Sequence, residues 1–178
     1  MKFPPVGLRK KRAGLGRLLA LVASCIIGFA VLTPGSFAQT AFYQATAADI
    51  AGPPGTLISS EPMFGPVGAE AYRILYRSTG LHGEPIAVSG VVVIPPGSPP
   101  PGGRPIVAWA HPTTGVVPHC APSLAIFVFQ SMMGLRPMID RGVVVVATDY
   151  PGLGTAGPHP YLVGVSEGRA VLDRKSVV

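Results

Sequence analysis

At 178 residues the chain has the length of one domain, and its formal charge of +6 invites a nucleic-acid reading. The distribution of charge excludes that. Six of the 14 basic residues (Lys2, Arg9, Lys10, Lys11, Arg12 and Arg17) fall in the first 38 positions with no acid among them, so eight basic residues remain from Gln39 onward against eight acids. A domain with no net charge has no electrostatic footprint for DNA or RNA.

The basic residues belong to a targeting signal. A cationic stretch over 1–17 precedes an apolar one over 18–32, then a turn at Thr33-Pro34-Gly35 and the small-x-small run Ser36-Phe37-Ala38. That order reads as a secretory signal peptide, 1–38, cleaved after Ala38 and leaving no stable membrane span. The alternatives are an uncleaved anchor, or a lipid-bearing Cys25 in the lipobox-like Val22-Ala23-Ser24-Cys25; the apolar run that continues to Leu32 argues against the lipoprotein. With Cys25 removed, Cys120 is an odd cysteine in an oxidising compartment, read either as half of a disulfide with its partner absent or as a buried thiol.

Residues 39–70, rich in Ala, Gly, Pro and Ser and without a sustained period, read as an N-terminal extension with at most one short helix near 45–50. Alternation over 71–78 predicts a strand, with Tyr72, Ile74 and Tyr76 sharing a face, and a turn over 79–85 leads to a second strand, 86–94. These two are expected as an edge hairpin. The Pro- and Gly-rich stretch 95–105 cannot hold a helix. Two continuous apolar runs follow, 106–110 and 143–148, predicted as inner parallel strands covered on both faces. Between them, Ser123 is placed as the N-cap of a helix over 124–133, broken at Gly134 and resumed over 137–141, with Arg136 and Asp140 one turn apart and Gly142 at C′. The predicted order is β-β-β-α-β, an α/β architecture.

The loop after the first apolar run, His111-Pro112-Thr113-Thr114-Gly115, carries the chemistry. Acyl transfer needs backbone N–H donors aimed at the developing oxyanion, and in α/β-hydrolases one comes from the loop after the third strand. Pro112 has no N–H; Thr113 and Thr114 have, and they are the candidate donors. The competing reading is an ordinary turn-rich loop. His111 precedes any nucleophile, the wrong order for the catalytic base, so it is assigned to bracing the loop. Asp149 is assigned to capping the loop that follows 143–148.

Gly164-Val165-Ser166-Glu167-Gly168 matches G-x-S-x-G, yet 151–160 is too short and too rich in Gly and Pro for the crossover helix that an elbow strand requires. Ser166 is therefore placed as the N-cap or a first-turn residue of a helix over 167–172, not as the nucleophile. His111, His119 and Cys120 fit no zinc spacing, and Gly152-Leu153-Gly154 is not followed by a helix, so neither a metal nor a dinucleotide cofactor is expected.

Ala110-His111-Pro112-Thr113-Thr114-Gly115, Cys120-Ala121-Pro122-Ser123, the run from Ala147 to Gly154 and Tyr161-Leu162-Val163-Gly164, in that order, resemble the bacterial branch of the secretory lipase family, the lipase A-like α/β-hydrolases. The resemblance spans 71–172. It implies a secreted, metal-independent enzyme that hydrolyses carboxylic esters, acylglycerols included, through a Ser-Asp-His triad, and a disulfide from Cys120 to a later cysteine. It implies that the nucleophile elbow follows the helix beginning near Ser166. The chain then reads as the N-terminal part of an α/β-hydrolase domain, 71–172, truncated before the nucleophile strand, without triad or lid, and inactive alone. Asp173-Arg174-Lys175-Ser176-Val177-Val178 holds the sole lysine after residue 38 and matches one frame of a common sequencing-adapter oligonucleotide; it reads as a non-native tail. Two other readings stand beside the lipase fragment. One is a non-enzymatic secreted or lipid-anchored binding protein, the other a peptidase on the same fold.

Overall fold

The structure is a computed structural model that describes residues 40–176. The signal peptide, its cleavage site, Cys25 and the last two residues of the tail lie outside the described residues.

Five strands form one mixed sheet: β1 (Leu57–Met63), β2 (Glu70–Thr79), β3 (Pro85–Ile94), β4 (Ile106–Trp109) and β5 (Val144–Thr148), in the spatial order β1-β2-β3-β5-β4. The β2–β3 hairpin forms where alternation and turn residues predict it, with Glu70 opposite Ile94 and Thr79 opposite Pro85. β5 runs antiparallel to β3 and parallel to β4.

The even-numbered side chains Val88, Val92, Val144 and Val146 face one side with Ile74 and Tyr76, while Val91, Val93, Val145 and Ala147 face the other. Helices cover both layers. Ala170 of α4 (Gly164–Lys175) packs on the first, and Val128 of α2 (Val128–Ser131) with Leu135 and Ile139 of α3 (Leu135–Asp140) on the second. This double cover is why β5 is a continuous apolar run: burying each valine stabilises by about 1.5–3 kcal/mol. Gly90 allows the close approach of β3 to β5, since a Cβ there would meet the Ala147 carbonyl oxygen at 2.3 Å. α3 ends as expected, with Gly142 at φ +75° returning its amide to Ile139 and Arg136 paired with Asp140 at 2.6 Å.

Several expectations are corrected. Residues 39–70 are not merely a surface extension. Tyr43 is fully buried, a capping box between Thr46 and Asp49 starts the short helix α1 (Ala47–Ile50), and β1 pairs with β2 from Leu57 to Met63. β1 thus takes the sheet edge, and the hairpin lies one strand inward. The expected helix 124–133 is a 3₁₀ turn, Pro122–Leu124, followed by the single turn α2. Ser123 does not cap it, because its amide and hydroxyl are committed to Asp149.

The strand 143–148 is not left as an open edge: β3 and β4 flank it. The other edge of the sheet among the described residues is β4, whose Ile106 and Val107 are each 37% exposed, against the expectation that both of its faces are covered. The last helix starts before Glu167 and continues past Leu172 to Lys175, so Asp173 and Arg174 are folded with the domain. Asp173 accepts a hydrogen bond from Ser78, and Arg174 is fully buried.

Candidate functional site

β4 and β5 run parallel, so the loops that leave them, 110–117 and 149–158, emerge at the same end of the sheet. That end of an open α/β sheet is where ligands bind. There His111, Thr113, Thr114, Tyr150, Tyr161 and Glu167 line a cleft of about 200 Å³.

The floor is held by Asp149. It is buried; its Oδ1 accepts the Ser123 amide at 2.8 Å, and its Oδ2 accepts the Ser89 hydroxyl at 2.6 Å and the Ser123 hydroxyl as well. Tyr43 Oη meets Ser123 Oγ at 2.7 Å, so three chain segments converge on one carboxylate. Burial pushes the Asp149 carboxyl above its usual range, against the pull of its Ser123 and Ser89 donors. Burial likewise raises the Tyr43 phenol to about 12. Asp149 therefore knits the loop to its neighbours; the sequence did not disclose its partners Ser89 and Ser123, nor the Tyr43 hydroxyl behind Ser123.

His111 is buried with its ring against Tyr150, centroids 4.4 Å apart. Nδ1 lies 2.7 Å from the Pro112 carbonyl oxygen and Nε2 lies 3.2 Å from that of Asp149. Both contacts are to backbone carbonyl oxygens, so the N–H of a neutral ring donates to one of them, which suits bracing the loop. Gly115 sits at φ +137° over Cys120, whose sulfur would be 2.3 Å from a Cβ at that position. The loop backbone is pressed onto that half-buried free thiol.

The amides of Thr113 and Thr114 have no acceptor among the described residues, and the only side-chain bond of the pair is Thr113 Oγ1 to Tyr161 Oη at 3.2 Å. Two unspent N–H groups beside a cleft can receive an oxyanion. The two non-glycine residues at positive φ among those described, Tyr150 at +70° and Leu162 at +62°, both line this cleft. Strained backbone of this kind gathers at functional sites. Neither this strain nor the wall formed by Tyr150, His159 and Tyr161 carries a local sequence signal.

Ser166 lies in the first turn of α4, after the turn that carries Leu162 and Val163, with no strand before it. It is fully buried and its hydroxyl has no partner among the described residues. Among the described residues, no serine sits on a tight turn that joins a parallel strand directly to a helix.

No family model matches the sequence, and neither does any curated protein. Solved structures do match. A variant of the rice cell wall degrading esterase LipA from Xanthomonas oryzae is 28% identical with a TM-score of 0.54, and the match covers 70% of this chain and 37% of that one. Another structure of this esterase gives 27% identity and a TM-score of 0.56 over the same shares. Candida antarctica lipase A in its closed state gives a TM-score of 0.58 at 21% identity, over 76% of this chain and 34% of that one, a likeness of fold alone. The described residues share the fold of lipase-like α/β-hydrolases. The chain spans about a third of the length of the lipases and esterases it matches. Within this lipase-like fold the described residues supply the cleft floor, the loop with two unspent amides and the aromatic wall.

Proposed function

We propose that this chain is the oxyanion-loop portion of a secreted serine ester hydrolase of the lipase type, acting on carboxylic esters such as acylglycerols. The observation that carries the reading is the pair of unspent amides at Thr113 and Thr114, held beside a cleft at the carboxyl end of β4. As the ester carbonyl becomes tetrahedral, its oxygen gains negative charge; an N–H at either residue stabilises it without reorganising, because His111 and Asp149 fix the loop. The nucleophile, acid and base come from outside the described residues. Cys120 pairs with a cysteine that is likewise outside them. Residues 1–38 act as the export signal, and the sequence from Asp173 on is not native, although Asp173 and Arg174 pack with the domain. The buried guanidinium of Arg174, with Nε and Nη2 unpartnered among the described residues, supports a non-native tail, since a core shaped around its own sequence rarely leaves such a group unpaired.

The 178-residue protein should not turn over p-nitrophenyl esters. In the protein expressed from the native locus, Thr113→Pro or Thr114→Pro, whichever removes the true donor, should lower kcat by about 10²–10³ with KM nearly unchanged. Full activity in both variants would reject the oxyanion role.

A further inference from the structure

A second cleft opens at the same end of the sheet. β3 runs antiparallel to β5, with Gly90 opposite Thr148, so the first residues of β3 lie beyond the carboxyl end of β5. The loop 149–158 borders two clefts there. Tyr150 and Leu153 line the one described above, and Thr155, Ala156 and Gly157 line another of about 270 Å³, closed by Tyr43, Ala45, Ile50 and 85–87. The loop touches this wall and then leaves it: a Cβ at Gly154 would meet the Tyr43 ring at 2.8 Å, whereas one at Gly157 would meet nothing within 4 Å.

The wall is apolar, and among the described residues no charged side chain lines it. Two of its side chains carry a polar atom. Tyr43 commits its hydroxyl to Ser123 at 2.7 Å. Thr155 is buried, and its hydroxyl has no partner among the described residues. An enclosed hydroxyl left unpaired is destabilising, so a ligand that pairs it relieves that penalty on binding. An apolar hollow with a single placed polar group is the usual make-up of a small-molecule site. A carboxylate or an ammonium would enter this one without a counter-charge and lose its hydration. A hydrocarbon would fill the space and leave Thr155 as it is. An uncharged aliphatic alcohol meets both needs, because its chain covers apolar wall and its hydroxyl can donate or accept.

We propose that this cleft is a binding site for an uncharged aliphatic alcohol, with the chain against Ile50, Ile86 and Ala87 and the hydroxyl on Thr155. The binding involves no turnover and is independent of the ester-hydrolase reading. The test is an NMR titration of the isotope-labelled 178-residue protein with hexan-1-ol, hexanoate and hexylammonium, which share one chain and differ in the head group. Hexan-1-ol is expected to shift the amides of Ala87 and of Thr155 to Gly157 saturably, and to bind about tenfold more tightly than either ion. Thr155→Val keeps the shape and removes a hydroxyl that has no partner to lose, so the fold stands; it should weaken hexan-1-ol about fivefold. Shifts centred elsewhere on the molecule, no saturable binding, equal affinities for the three head groups, or an unchanged affinity in Thr155→Val would overturn the site. The comparison of head groups on the unaltered protein needs no variant, so misfolding cannot obscure it.

Discussion

Asp149 Oδ1 accepts the backbone amide of Ser123 at 2.8 Å, and this bond ties the segment behind the His111–Gly115 loop to the end of β5. The carboxylate is fully enclosed, so its loss strands the amide of Ser123 and the hydroxyls of Ser89 and Ser123 in the interior. Asp149→Ala should destabilise the domain by about 3 kcal/mol or more, read as a shift in the urea midpoint.

The same residue sets a pH dependence. Its folded-state pKa lies above the ordinary 3.8, so between those two values the folded state binds more protons than the unfolded one. The contribution to stability is whole below 3.8 and declines as pH rises through the folded value. Relative to Asp149→Asn, which holds no titrating proton, the unaltered protein should lose stability on going from acid toward neutral pH. A constant difference in Tm across that range would refute the shift.

Among the described residues the Arg174 side chain makes one hydrogen bond, Nη1 to the Trp109 carbonyl at 3.3 Å, and leaves Nε and Nη2 without partners. Burial depresses its pKa to about 10, the mark of a charge that is poorly compensated. Arg174→Met keeps the volume and removes the charge, so thermal unfolding should show a gain of about 1–4 kcal/mol.

Gly90 faces the Ala147 carbonyl too closely for any side chain. Gly90→Ala should force β3 from β5 and cost about 1–3 kcal/mol by overpacking. Amide exchange of Val145 to Ala147 should accelerate before that of β1 and β2.

Ser166 is enclosed without a hydrogen-bond partner. Ser166→Ala should therefore be neutral or slightly stabilising in a melting experiment, because it removes an unsatisfied hydroxyl. In the native-locus enzyme it should leave ester turnover unchanged.

How much of this was legible follows from how local each signal is. The apolar runs that became β4 and β5, the alternation of Tyr72, Ile74 and Tyr76, and the Gly142 stop are all local, and all appear in the structure. β1 escaped because Leu-Ile-Ser-Ser-Glu-Pro-Met has weak alternation and a proline; Pro62 is tolerated since the strand is at an edge. The helix expected after Ser123 failed for a long-range reason, the commitment of that residue to Asp149. Strand order was hidden in the same way. Nothing in residues 106–110 says that they sit outside β5. In the cleft, the Thr113-Thr114 loop was legible as a motif, whereas Tyr150, Tyr161 and Glu167 meet there only through the fold.

The central claim is that the described residues furnish an oxyanion loop without a nucleophile. The most direct measurement is treatment of the purified 178-residue protein with a fluorophosphonate probe, followed by intact and peptide mass spectrometry. The account predicts no adduct on any serine. A stoichiometric adduct on Ser166 would contradict it.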